Sequence, residues 1–275
     1  MPALDVLRAA CLNPVLHYGL RCGTLKPGDA ADFIRLENLE EFRVLETWID
    51  GQLVARNGKA LLPKTRPEIL NQFRATLKNA EDFVVPAGRG RIRVIEVIDG
   101  QIVTRSGEAS PRIQNGCAVA DPEADLLKIA VVNRYVEGPP AVAFVRGVGL
   151  RHGAIASSVA HDCHNIVAVG ADEESLAKAV NLIIQHQGGI SVAAPGREDI
   201  LPLPLAGLIS DGPAEEVAAG YARLTQAAKS LGSPLGAPYM SLSFLALLVI
   251  PELKLSDRGL FDARTFSFTP VFTGE

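Results

Sequence analysis

The sequence predicts an α+β or mixed α/β fold in two units, hairpins first and then a mixed sheet with flanking helices. Three observations carry that expectation. Apolar, β-branched runs at 126–134, 141–145 and 166–169 are bounded by Gly or Pro and read as buried strands. Asp50-Gly51 lies between apolar stretches and is a type I′ hairpin signal, because both central residues accept a positive φ. Two segments open with helix-start chemistry: Asp172 before Glu173 and Glu174, and Pro213 before Glu215 and Glu216. In each, carboxylates fall in the first turn, where the helix dipole favours anions.

Taken in order, the first 20 residues read as helical, with Leu4, Leu7 and Leu12 on one face. Pro14 opens a second short helix, since its missing N–H costs nothing at a first helical position. Gly19 and Gly23 punctuate the next stretch, and residues 25–29 form a turn around Pro27-Gly28. Strands are expected at 31–36, 43–49 and 52–56, the last ended by Asn57-Gly58. Residues 49–60 resemble 98–109, both reading as strand, tight turn, strand, second turn. Two copies do not make a solenoid, so we read the likeness as convergent hairpin chemistry. Residues 63–67, rich in Pro, form the expected linker. A helix from 172 to about 187 is stopped by Gly188-Gly189, a strand occupies 190–194, and a last helix runs from 213 to about 231.

Composition narrows the function classes. The 275 residues carry 27 Lys plus Arg against 31 Asp plus Glu, a net charge of −4. That balance argues against nucleic acid, whose phosphates call for a basic excess. Hydrophobic residues make up 48% and charged residues 21%, an ordinary globular mixture rather than a disordered one. The longest apolar run, 242–250, stops at Pro251, well short of the roughly 20 residues a membrane helix needs. Residues 1–10 lack the basic start and apolar stretch of a secretory signal, so a cytoplasmic protein is expected. Cys11, Cys22, Cys117 and Cys163 are scattered without a CxxC, as expected of reduced thiols.

The densest polar cluster is Ser157-Ser158-Val159-Ala160-His161-Asp162-Cys163-His164-Asn165, between two apolar runs. Three readings stay open for it: a polar active-site loop, part of a metal site, or structural hydrogen bonding. A metal site would usually need four ligands, and the chain offers no second cluster. Cys163 beside two imidazoles has the makings of an activated nucleophile, but a small buried residue is the plainer reading. Asp211-Gly212-Pro213 reads first as a turn before a helix, and Asp257-Arg258-Gly259 as a surface turn.

Some of these residues also carry a resemblance. Leu12-Asn13-Pro14, Gly19 and the run from Gly23-Thr24-Leu25-Lys26-Pro27-Gly28-Asp29 to Asp32 resemble the end of amidohydrolase-superfamily enzymes, where the chain leaves the metal-binding barrel for a small β-sandwich. Residues 128–134, 153–162, His164-Asn165, 203–211 and 242–260 resemble the C-terminal half of bacterial adenine deaminase. The resemblance spans nearly the whole chain. It implies that residues 1–63 are the end of the barrel and a β-sandwich segment, and that 64–275 are the adenine deaminase C-terminal domain.

The implied activity is hydrolytic deamination of adenine to hypoxanthine and ammonia with a divalent metal, manganese or iron. The family's metal ligands include an H-x-H pair, and this sequence contains no H-x-H. The resemblance therefore implies a truncated or split form whose metal belongs to a barrel half, with none expected on this chain alone. The alternative is a non-catalytic purine-binding or protein-interaction module. The residues carried over are His161, Asp162, His164 and Asn165 as a loop that recognises or covers the purine, with Ser210 and Asp211 lining the same face. His161 would bind a ring nitrogen and Asp162 would fix its tautomer. Where the family has Ser this chain has Cys163, which removes the nucleophile reading. The implied partners are adenine and a barrel-domain chain. An apolar face left uncovered on 1–63 implies a homo-oligomer.

Overall fold

Short helices and hairpins at the start give way to long apolar strands, and the computed structural model follows that change of pattern. It describes residues 2–63 and 67–274. The chain divides into two compact units, Met1–Arg66 and Pro67–Glu275. The middle of the expected 63–67 linker lies outside the described residues.

The first unit opens with α1 (Ala3–Leu7), a π-helical stretch Arg8–Leu12, and α2 (Asn13–Tyr18). Pro14 sits at the start of α2, and Gly19 ends it at φ 63°, the left-handed conformation that glycine reaches without strain. No residue of these three segments is buried. A four-stranded antiparallel sheet comes next: β1 (Phe33–Leu36), β2 (Val44–Ile49), β3 (Gln52–Arg56) and β4 (Lys59–Ala60), in that order. Asp50 and Gly51 take φ of 49° and 72°, as a type I′ turn requires. Asp32 braces this turn, its carboxylate accepting from the Gly23 and Asp50 N–H groups.

The second unit runs β5 (Val85–Pro86), β6 (Ile92–Val97), β7 (Thr104–Ala109), β8 (Arg112–Gln114), β9 (Cys117–Val119), β10 (Leu127–Val132), β11 (Ala141–Arg146), β12 (Ala154–Ser157) and β13 (Ile166–Gly170). It continues with α3 (Glu173–Gln185), β14 (Gly189–Ala194), β15 (Arg197–Pro202), α4 (Ala214–Ser230), α5 (Pro238–Ser243), β16 (Leu253–Ser256), β17 (Gly259–Asp262) and β18 (Ser267–Phe268). Eight strands form one sheet in the order β15-β14-β12-β13-β10-β11-β6-β7. The β11–β6 pair is parallel and the other pairs are antiparallel.

Both faces of this sheet are covered, which is why its strands read as continuous apolar runs rather than alternating ones. On β10, Leu127, Ile129 and Val131 pack on the side that holds Leu224, Ala227 and Ala228 of α4. Ala130 and Val132 pack on the opposite side, with Leu176, Ala179, Val180 and Ile183 of α3. Asp172 caps α3 through the Ser175 N–H at 2.7 Å. Lys128 is fully buried on β10 and is neutralised by Glu173 in the first turn of that helix, 2.5 Å away.

The sequence likeness between 49–60 and 98–109 is not a structural repeat. The second copy has no two-residue hairpin: β6 and β7 pair from Val97 to Thr104 across a six-residue connection. The expected second turn at Ser106-Gly107 lies inside β7. The cause is a competing partner for this segment. Thr104 donates through its N–H to the Pro251 carbonyl and accepts from the Glu252 N–H, so residues near 102–104 are drawn onto 251–254. Lys254 Nζ adds a bond to the Ile102 carbonyl at 2.8 Å.

Candidate active-site loop

Strands β12 and β13 are neighbours joined by an eight-residue loop, 158–165. The loop is held at its base by Ser158, a buried hydroxyl. Its Oγ donates to the Gly207 carbonyl at 2.6 Å and accepts from the Gly189 N–H at 2.8 Å. At its far end Asn165 is buried, and its Oδ1 accepts from the Arg134 N–H at 3.3 Å.

Between these anchors the loop presents its imidazoles. The His161 N–H donates to the Ser243 carbonyl, and its ring lies 4.6 Å from the Phe244 ring. His164 takes φ of 52° and its Nδ1 is buried with no hydrogen-bond partner among the described residues. Burial pushes the His164 imidazole below its ordinary pKa, and the charge of Arg134 pushes the same way. His164 is therefore set up as a neutral imidazole, able to exchange hydrogen bonds with a heterocycle without adding charge. Asp162 is exposed, and no hydrogen bond joins it to the His161 ring among the described residues. Burial raises the Cys163 thiol, with the Asp257 and Asp162 carboxylates adding to the rise. That is the opposite of what a nucleophilic thiolate needs.

Arg134, just beyond the end of β10, is the residue that composition and spacing gave least reason to expect here. It is 3% exposed, and no carboxylate pairs with it among the described residues. Its Nη1 donates to the Ala206 carbonyl at 2.6 Å and its Nη2 to the Tyr135 hydroxyl at 2.8 Å. The guanidinium also lies 4.7 Å from the Tyr135 ring centre and 5.8 Å from that of Phe73, a cation–π arrangement. Gly207 must be glycine for this, since a Cβ there would fall 1.9 Å from Nη1. Arg134 and Ser158 thus fasten the loop to the 206–207 turn from two sides. Beside them, Asn133 Nδ2 donates to Asp257 at 2.7 Å, which makes the surface turn at 257–259 a neighbour of the loop.

Ser210 and Asp211 are placed differently from the loop residues. The Ser210 hydroxyl accepts from the Gly212 N–H in a local turn ahead of α4, and Asp211 is exposed. The segment's link to the loop runs through Ala206 and Gly207 instead. The signal that could have found Arg134 was a charged residue just past the end of a fully buried strand, where a cation is expensive unless it has a task. All four cysteines are free.

Among the described residues, no group of three or more His, Cys, Asp or Glu side chains comes together as a metal site would need. Nor is any described helix long and apolar enough to cross a membrane.

Comparison with known proteins gives this arrangement a family. Residues 101–267 match the family described as the adenine deaminase C-terminal domain, and residues 1–54 match the amidohydrolase family. The chain belongs to the adenine deaminase C-terminal domain family. The match contains the whole 158–165 loop, Arg134, the 206–207 turn and Asp257. The chain is similar to the adenine deaminase of Salinibacter ruber, 53% identical over 98% of this chain and 49% of that protein. It is similar to the adenine deaminase of Methanosarcina acetivorans at 45% identity, over 98% of this chain and 51% of that protein. It is similar to the adenine deaminase of a Sulfurovum species at 49% identity, over 96% of this chain and 48% of that protein. The chain spans about half the length of the curated relatives it matches.

Proposed function

We propose that this chain supplies the C-terminal part of an adenine deaminase, acting in the hydrolysis of adenine to hypoxanthine and ammonia. The observation that carries the reading is the coincidence of the family match with the built loop: the family region contains both imidazoles and the buried Arg134 and Ser158 that fix them. Within the reaction, His161 and His164 recognise ring nitrogens of the purine and the loop excludes water above it. Arg134 and Ser158 are positioning residues. They hold the loop against the 206–207 turn at no entropic cost when substrate arrives.

A divalent metal, manganese or iron, would supply an activated water to such a reaction. The residues of this chain do not fit it, because no three metal-binding side chains converge among those described. We assign the metal to an amidohydrolase barrel, on the same chain or another. The assembly is a cytoplasmic homo-oligomer in this reading, with adenine as its substrate and a barrel half as its partner.

The test is adenine-dependent ammonia release, measured with this chain alone and after mixing it with the half of the Salinibacter ruber enzyme that it does not match, manganese being present. Release should appear only in the mixture. Turnover by this chain alone contradicts the assignment of the metal. No release from a mixture shown to associate by sedimentation contradicts the proposed function.

A further inference from the structure

Residues 67–79 open the second unit as an extended strap with neither helix nor strand. Its side chains alternate in exposure. Asn71, Phe73 and Ala75 are partly buried, while Leu70, Gln72, Arg74 and Thr76 are exposed. Phe73 and Ala75 pack on the cluster that holds Leu176, Val180 and Ile183 of α3. At the far end of the strap Asn181 of α3 clamps Lys78, accepting from its N–H and donating to its carbonyl, each at 2.8 Å.

The near half of the strap grips both fastenings of the 158–165 loop. The first fastening is the bond from Arg134 to Ala206. The Phe73 ring centre lies 5.8 Å from the guanidinium, and the Arg74 N–H donates to the Arg134 carbonyl at 2.6 Å. The Ala206 N–H donates to the Leu70 carbonyl at 2.7 Å, so both ends of the bond are held by strap residues. The second fastening is Ser158, which bridges Gly189 and Gly207. The Asn71 amide bridges the same two segments from the strap, Nδ2 donating to the Gln187 carbonyl at 2.6 Å and to the Pro204 carbonyl at 3.0 Å. A buried guanidinium with no carboxylate partner depends on such cover, because water would hydrate it more fully.

We propose that Asn71 and Phe73 are positioning residues for the loop, acting through the 204–207 segment and through Arg134. The strap decides whether Arg134 stays on Ala206 or swings out to water, and so whether His164 keeps its cationic neighbour. In this role neither strap side chain meets the base itself. The positioning needs no ligand; its effect on purine turnover rests on the proposed function.

The experiment is an NMR titration of the His164 imidazole in the full 275-residue chain, followed by kcat/KM for adenine in the barrel mixture. In the natural chain burial, the Arg134 charge and His161 lower the His164 pKa, and Asp162 opposes them. Phe73→Leu keeps an apolar side chain but takes the ring away from Arg134. It should raise the His164 pKa to an extent comparable with Arg134→Gln, and Asn71→Ala should raise it in the same direction. Phe73→Tyr retains the ring and should leave it unchanged. Asn181→Ala frees only the far end of the strap, so it should lower the melting temperature and leave His164 alone. In the mixture kcat/KM should fall about tenfold or more in Phe73→Leu and Asn71→Ala, as a displaced loop requires, and recover in Phe73→Tyr. A His164 pKa that Phe73→Leu leaves in place overturns the proposal. So does one that Asn181→Ala moves as far, because the effect is then general loosening. The titration is read on this chain alone, so a mixture inactive with the natural chain would sink the family reading and leave the strap's role standing.

Discussion

The helical lead-in of the first unit and strand β10 of the second are both announced by apolar residues, yet they meet opposite environments. Leu4, Leu16 and Tyr18 are 69%, 67% and 73% exposed, whereas all six residues of β10 are buried, Lys128 among them. The difference lies in cover rather than in composition. Strand β10 has a helix packed over each face of its sheet, so each of its apolar side chains is taken out of water. The lead-in has nothing of the kind among the described residues of its unit, and its apolar residues contribute little to the stability of the fold they begin. A surface of that sort favours association.

Truncating one side chain in each region tests this contrast with the largest expected effect. Ile129→Ala, at a fully buried position, should cost about 3–4 kcal/mol in urea unfolding, the sum of lost burial and a residual cavity. Leu16→Ala, a comparable truncation on the exposed helix α2, should stay within about 0.5 kcal/mol. Comparable costs at the two sites would mean that the lead-in is covered after all.

A pH titration bears on the same contrast. Burial pushes the Lys254 ammonium down to about 8 from its ordinary 10.5. The unfolded chain therefore holds this proton over a range where the folded chain has released it. Stability should rise as pH is raised from about 8 to about 10.5, by up to about 3 kcal/mol. Below that window Lys254 is charged in both states and the slope disappears. Lys254→Met should flatten the rise, and an unchanged slope in that variant would assign it elsewhere.

The smallest effect belongs to the first unit. Glu46 is held at about 2 by its hydrogen bonds from Arg35 and from Trp48 Nε1, with Arg56 adding charge. Its lowered pKa adds stability above its ordinary value near 4.5, and that contribution is lost as pH falls towards 2. Trp48 is the sole tryptophan, so its fluorescence reports this sheet directly. The acid transition should shift in Glu46→Gln while the circular dichroism of the second unit does not.

Much of the fold was legible because its signals are local. The Asp172 cap, the Asp50-Gly51 turn and the apolar strands at 127–132 and 166–170 are each decided by a few consecutive residues. Asp99-Gly100 carries the same local signal as Asp50-Gly51 and failed, because Thr104 and Ile102 found partners about 150 residues away, at Pro251, Leu253 and Lys254. The candidate site divides along the same line. The 157–165 cluster stands out by density alone, so the sequence points to the loop. What fixes the loop does not stand out: the Arg134–Ala206 contact spans 72 residues, the Asn133–Asp257 contact 124, and neither pairing leaves a periodic trace. Ser210 and Asp211 sit near the right turn in sequence, but the contacts fall at Ala206 and Gly207.

The central claim is that the loop held by Arg134 and Ser158 acts on purine. The direct measurement is kcat/KM for adenine in the barrel mixture, comparing the natural chain with His164→Asn, a residue that tolerates the left-handed backbone found there. If the neutral imidazole recognises or exchanges protons with the base, kcat/KM should fall about a hundredfold or more while the melting temperature stays within about 2 °C. Activity within twofold of the natural chain, with the variant folded, would contradict it.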